Sequence, residues 1–445
     1  MKRTALATIG LFSAALPALA QRPAYPPEEF TARREKLCQT AGDGTLMLFA
    51  ASMPTTNQRF RQDHYFYYYT GNEDLNAVLV MSLKPCQAFL FLPQQNEAQI
   101  RVDGPNWLQD ETGSAKKWGF ERLHPLPYLE EFLARRRRVG SQPLWLRISD
   151  RDEVDGGRRD TTLRLSRRYN SAFGGQPSED AWRVDLVRQR YPAYELKDVA
   201  PLVDAQRMIK TPREIEMLRR NGRISAEAVK RAIEATRAGR YEYELEAEAT
   251  YWMIRNGSEA SGYPAIVGSG PNVNIWHYNK NERQLADGEL IVMDYGASVA
   301  YQTMDITRTW PVSGKFDELQ LRAYKCALET QKAIIAAMKP GATRAQTREI
   351  SREIYKKWGF ADQSPASAGH FVGMAVHDVG DAELPFQPGM VIAVEPIIEM
   401  KDKRLHVRIE DTVLVTSGEP EILSAAVPKE VDDVLALVGK SLPKR

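Results

Sequence analysis

Four acidic residues interrupt the most apolar segments of the C-terminal half, a pattern that few buried arrangements tolerate. Asp294 ends Leu-Ile-Val-Met, Asp305 lies in Tyr-Gln-Thr-Met-Asp-Ile-Thr-Arg-Thr, Glu395 ends Val-Ile-Ala-Val and Glu410 follows Val-Arg-Ile. Each is attached to a run that reads as a buried strand. An ionised carboxylate in apolar surroundings is costly unless it is paired or bound to a metal. One alone reads as a satisfied core acid; four together do not. Arg308 and Arg408 could each neutralise one acid, and the remainder would still repel. Two divalent cations would balance all four charges, and a histidine would complete an oxygen and nitrogen shell suited to manganese, cobalt, zinc or iron. His370, in Ala-Gly-His-Phe-Val-Gly, is the candidate for that ligand. A lone histidine is usually structural, so its weight comes from the acids.

Composition removes competing classes. The 445 residues carry 60 Lys and Arg against 58 Asp and Glu, with 43% hydrophobic residues. A formal charge of +2 provides no basic field for nucleic acid. A mean hydropathy of -0.44 excludes a polytopic membrane protein. The length suits two or three domains. Cys38, Cys86 and Cys326 are too few for a disulfide scaffold and lack zinc-finger spacing.

Lys2 and Arg3 precede an apolar run from Ala5 to Leu16, then Pro17 and an Ala-Leu-Ala site at residues 18–20. This reads as a secretory signal cleaved after Ala20, too short for a membrane anchor. Its removal leaves 58 basic and 58 acidic residues. Export to the periplasm or beyond permits a disulfide, with Cys38 and Cys86 the pair to suspect and three buried thiols the alternative.

From Tyr25 to about Tyr191 strand-like runs (Thr45 to Phe49, Ala77 to Met81, Ala88 to Leu92) mix with helices, one ending in the Arg135 to Arg138 run. That run decorates a helix C-terminus, where positive charge is favoured. A boundary is expected near residue 203, separating residues 21–202 from 203–445. Thr211-Pro212-Arg213-Glu214 then supplies a capping residue, a Pro at the first helical position and a Glu at the third. Strands are expected at Leu290 to Asp294, Tyr301 to Trp310, Val391 to Glu395 and Val407 to Val415. Helices are expected over Phe316 to Met338 and from Thr343 to Trp358. The interleaving is that of an α+β domain.

The ordered set Asp294, Asp305, His370, Glu395 in Val-Glu-Pro and Glu410 in Arg-Ile-Glu-Asp resembles the five-ligand set of the pita-bread metallopeptidases, which include aminopeptidase P, prolidase and methionine aminopeptidase. Phe60-Arg61-Gln62-Asp63 and Tyr68-Tyr69-Thr70-Gly71 resemble the smaller α/β leading domain of the first two. The resemblance implies two divalent ions, with Mn2+ the leading expectation and Co2+, Zn2+ or Fe2+ the alternatives. It implies that Asp294 binds one, Asp305 and Glu410 bridge both, and His370 with Glu395 hold the other. Glu395 would also move the proton of the attacking water. His277 and His377 match histidines that contact substrate and stabilise the tetrahedral intermediate. Arg408 matches an arginine that orients ligating carboxylates. His64, His124 and His406 match nothing catalytic.

Within that family, Asp305-Ile-Thr-Arg-Thr-Trp-Pro-Val-Ser-Gly-Lys-Phe and Val376-His-Asp-Val-Gly look like aminopeptidase P and prolidase. The resemblance therefore implies an exopeptidase acting on peptides with proline second. A prolidase-type dipeptidase is the alternative, with a metal-free creatinase-like hydrolase or a non-enzymatic binding module behind it. The expected partner is a peptide, with no nucleic acid and no stable membrane insertion after signal cleavage. A homo-oligomer is compatible with the sequence. One position departs from the pattern: the histidine common four residues before the metal-binding one is Ala366 here, which bears on proline specificity and leaves the ligands intact.

Overall fold

Runs of alternating side chains build the sheet of the leading half. In the computed structural model, which describes residues 22–52, 59–136, 142–171, 174–175, 177–364 and 369–440, Thr45–Phe49, Val78–Ser82 and Gln87–Leu92 form an antiparallel meander. Arg122–Pro125, Gln142–Leu146 and Tyr194–Asp198 extend it by parallel pairing into a six-stranded mixed sheet. Because strand side chains alternate faces, Leu46, Leu48, Leu79 and Leu90 pack on one side with Phe30 and Leu37 of the helix Pro27–Thr40. Met47, Val80, Phe89 and Phe91 pack on the other with Phe132 and Val184. Both faces are thus covered, as an α/β layer requires. The expected signal segment and Ala366 lie outside the described residues, as do Arg137 and Arg138. Arg136 ends the helix Leu129–Arg136 and lays its guanidinium 4.2 Å from the Phe89 ring centroid.

Cys38 and Cys86 form a disulfide, Cα to Cα 5.8 Å, and Cys326 is a buried free thiol. The helix Ala200–Met208 carries the chain toward Pro212–Glu234, whose capping box unites Thr211 and Glu214 as read from sequence. Asp317 with Gln320 and Thr343 with Gln346 likewise cap Glu318–Ala337 and Arg344–Trp358.

Two expected strands are broken. The segment Tyr301 to Trp310 divides into Gln302–Thr303 and Thr307–Pro311, and Val407 to Val415 divides into Leu405–Arg408 and Asp411–Leu414. The first half of each pair belongs to a different sheet from the second. Asp305 and Glu410 occupy the two breaks. Leaving the ladder there frees each carboxylate from the alternating register, so that both reach one place.

The first break is held from both halves. Ala300 and Tyr301 form the two-residue turn of a hairpin at φ 50° and 63°, a region that disfavours side chains. Glu259 accepts the Ala300 N–H at 2.8 Å, and the Tyr301 ring stacks on Tyr67 at 3.5 Å between centroids. Half-buried Arg61 donates to the carbonyls of Tyr301 and Met374 at 2.9 and 2.7 Å. The Phe-Arg-Gln-Asp motif is therefore an inter-domain latch.

Candidate active site

The strands Ile266–Ser269, Leu290–Asp294 and Thr307–Pro311 pair antiparallel, setting Asp294 opposite Ile266 and Thr307 at the sheet end. Tyr263, just before this sheet, places its hydroxyl 2.6 Å from Asp294 Oδ1 and 2.7 Å from Asp305 Oδ1. A phenol has one proton to donate, so it satisfies only one of two ionised carboxylates. Thr412 fixes the Asp305 backbone twice, accepting its N–H at 3.1 Å and donating to its carbonyl at 2.7 Å. Glu410 Oε2 accepts from the Thr307 hydroxyl at 2.6 Å, while its Oε1 is buried with no hydrogen-bond partner.

His370 closes the group. Its Nδ1 lies 3.0 Å from the Phe371 carbonyl, which makes Nδ1 the protonated nitrogen. Its Nε2 then faces Asp305 Oδ2 at 3.3 Å and Glu395 Oε1 at 3.6 Å. Asp305, His370 and Glu410 present ligand atoms within 4.8 Å of one another. Glu395 follows the strand Val391–Val394 and is half-buried.

The electrostatics describe a site short of positive charge. Burial drives the Asp294 carboxyl up to about 8, with the Asp305 charge adding to it and Arg408 opposing. Burial and the charges of Asp305, Glu395 and Asp294 hold Glu410 well above its usual range. Asp305, despite burial, is held down to about 2 by its bond to His370, and His370 is pushed up to about 9 by Asp305 and Glu395. Without a cation, the protons retained by Asp294, Glu410 and His370 supply the positive charge that the converging carboxylates demand. The donor set of oxygens and one nitrogen, with Glu410 Oε1 left unsatisfied, therefore fits divalent cations.

The two arginines separate in role. Arg408, at the end of Leu405–Arg408, donates to Asp294 Oδ2 at 2.7 Å, as the sequence allowed. Arg308 neutralises none of the four acids. It pairs with buried Asp411 at 2.8 Å and donates to the Glu410 carbonyl at 2.6 Å, because its strand register turns it away from the cluster. It anchors the backbone that presents Glu410.

His377 stands beside the group, its ring centroid 4.3 Å from that of His370. His277 is solvent-exposed; partial desolvation, then Arg408 and His377, lowers its pKa. His64 is buried against Asp152 at 2.7 Å, and His124 stacks at 5.2 Å on Phe91, both away from the cluster. Tyr263, Thr307 and Thr412 support the acids and carried no sequence signal, since each lies far along the chain from its partner.

His406 has both ring nitrogens buried without a partner, and burial, then Arg408, pulls its pKa down to about 3. Its folded value lies below the unfolded one, so its stabilising effect is complete above about pH 6.5 and is lost as pH falls from there toward 3. His406→Leu is accordingly expected to flatten the decline of the urea midpoint over that window. A pH slope identical to that of the parent chain would contradict this.

Residues 30–144 match the aminopeptidase P N-terminal domain and residues 216–417 match metallopeptidase family M24. The Xaa-Pro aminopeptidase of Haemophilus influenzae is 31% identical over 95% of this chain and 99% of its own length. A solved aminopeptidase P from Bacillus anthracis superposes with a TM-score of 0.82 at 24% identity, covering 93% of this chain and 98% of its own. Zinc-substituted aminopeptidase P from Escherichia coli, solved with product, gives 0.77 at 26% identity over 95% and 100% of the two chains. The paired domains place a pita-bread catalytic domain behind a smaller α/β domain. With both domain matches in order and a relative aligned almost end to end, the chain belongs to the aminopeptidase P family of M24 metallopeptidases.

Proposed function

We propose that this chain is a metal-dependent exopeptidase releasing the N-terminal residue from peptides with proline second. The observation that carries it is the convergence of Asp305, His370 and Glu410 beside His377, in a chain alike to aminopeptidase P over both domains. Asp294, Asp305, His370, Glu395 and Glu410 would hold two divalent ions, Mn2+ foremost, with Asp305 and Glu410 shared between them. Divalent ions held there supply Lewis-acid polarisation of the scissile carbonyl and acidify water.

The chain's own residues supply the rest. Glu395, half-buried beside His370, takes the proton of the attacking water and passes it to the leaving amine. His377 contacts the substrate through Nε2, and His277 donates to a substrate carbonyl at the exposed side, together steadying the tetrahedral intermediate. Arg408 fixes Asp294 as a ligand. The disulfide supports export to an oxidising compartment, as the leader read at residues 1–20 suggests. Among the described residues no helix is long and apolar enough to cross a membrane.

The test is a cleavage screen over second-position residues in Xaa-Pro-Zaa and Xaa-Pro peptides, with Mn2+, Co2+, Zn2+ or Fe2+ and with chelator. Release of Xaa from tripeptides, lost with chelator and restored by one of these ions, is expected. Hydrolysis of dipeptides alone would move the assignment to a prolidase, and full activity without metal would favour a creatinase-like hydrolase. The same screen reads the effect of Ala366: cleavage irrespective of the second residue would remove proline from the description.

A further inference from the structure

A short segment of the leading domain reaches the edge of the catalytic cluster. Val376 donates its N–H to the Val154 carbonyl at 2.9 Å. The Gly157 backbone packs against the His377 carbonyl so closely that a Cβ there would collide. His377 Nδ1 lies 2.7 Å from Asp160 Oδ2.

Asp160 occupies the first turn of the helix Arg158–Tyr169, and the same Oδ2 also accepts the Gly157 N–H at 2.8 Å. The helix dipole and these two donors favour its charged form. An ionised carboxylate only accepts, so the His377 proton facing it resides on Nδ1 and Nε2 is the ring nitrogen left free. The start of the helix is itself clamped: Arg158 donates to Asp204 at 2.5 Å and to the Tyr65 hydroxyl at 2.6 Å. On the other side, Asp378, next to His377, is held by Arg207 at 2.6 Å and Lys210 at 2.8 Å. A rigid acceptor thus meets a histidine on a rigid loop, across 217 positions of sequence.

We infer that Asp160 is a positioning residue through which the leading domain sets the orientation and tautomer of His377. A carboxylate behind a working histidine fixes which nitrogen faces the reacting atoms. The inference rests on the catalytic role proposed above for His377, and it makes the leading domain a part of the active site.

The test uses the full-length chain and two independent readouts. Long-range proton-nitrogen NMR of histidine-labelled, metal-free protein at alkaline pH, with His377→Gln giving the assignment, should show the Nδ1–H tautomer at His377. In Asp160→Ala that signal should move toward a mixture of tautomers. In the metal-loaded protein, kcat on an Xaa-Pro-Zaa peptide should fall about 10- to 100-fold in Asp160→Ala, the usual effect of losing such a partner. KM and metal content should stay close to those of the parent chain, and Asp160→Glu should recover part of kcat. Asp160→Asn keeps an oxygen acceptor at the helix start and removes the charge, so a loss of kcat there at a parent-like melting temperature separates the effect of the carboxylate on His377 from helix capping. An unchanged His377 signal in Asp160→Ala, or a kcat within about twofold of the parent, overturns the inference. A parent chain that cleaves no peptide, yet shows the tautomer shift, instead refutes the proposed function and leaves the positioning contact standing.

Discussion

Asp305→Asn is expected to abolish peptide hydrolysis while leaving the chain folded. Asparagine preserves the volume and the Oδ1 acceptor for the Tyr263 hydroxyl, and the backbone bonds to Thr412 do not involve the side chain. What disappears is one negative charge between Asp294, Glu410 and His370, at the position proposed to join both cations. Polarisation by bound cations contributes several kcal/mol, and each ~1.4 kcal/mol is tenfold in rate, so the loss should reach on the order of a thousandfold. Without metal the variant should melt close to the parent, because losing the Asp305 contact to His370 is offset by relief of a charge that forces protons onto Asp294 and Glu410. Added metal should then raise its melting temperature less than it raises that of the parent. Metal analysis, calorimetry and a peptide assay on one preparation read all three quantities. Parent-like turnover at parent-like metal content would remove Asp305 from the proposed ligand set.

The second large effect is on stability. Arg207 is fully buried and bridges Asp152 of the leading domain, at 3.2 and 2.7 Å, to Asp378 beside His377. It holds the Asp152 carboxyl well below its usual range, against burial and with help from His64. Arg207→Met removes the cation and leaves two buried carboxylates, with only His64 and Lys210 to compensate. Breaking a buried pair from one side costs about 3–5 kcal/mol. Urea unfolding at neutral pH should show that loss, with the peptide assay falling as the Asp378 loop relaxes. A shift below about 0.5 kcal/mol, the range of ordinary surface changes, would show that the network contributes little.

Asp294 and Glu395 were placed correctly at strand ends because apolar runs of a few residues terminating in an acid are a local pattern. Asp305 and Glu410 were read inside continuous strands because nothing local marks the breaks. The turn before Asp305 uses Ala300 and Tyr301 at positive φ, where a reader looks for Gly or Asn, and the contacts that hold it come from Glu259, Tyr67 and Arg61. Arg308 shows the same limit: sequence offered it as a counter-charge, but strand register decides which of two adjacent acids, Glu410 or Asp411, it meets. The caps at Thr211 and Thr343 were legible because both partners lie within one turn. Tyr263 and Asp160 act on partners 31 and 217 positions away, and no single sequence records such pairings.

The stacked pair Tyr67 and Tyr301 also bears on modularity. Ala300, Tyr301, Met374 and Met217 from the C-terminal half share one apolar cluster with Phe30, Leu46 and Tyr68 from the leading half. A chimera that grafts the leading half of a relative onto this catalytic half would need matching side chains at that seam. Without them, Tyr301 and the three partner atoms that Arg61 finds in the catalytic half, Ser298 Oγ and the Tyr301 and Met374 carbonyls, would face an ill-fitting surface. The two halves therefore fit as one unit, and a substitution on one side of the seam is expected to need a matching change on the other.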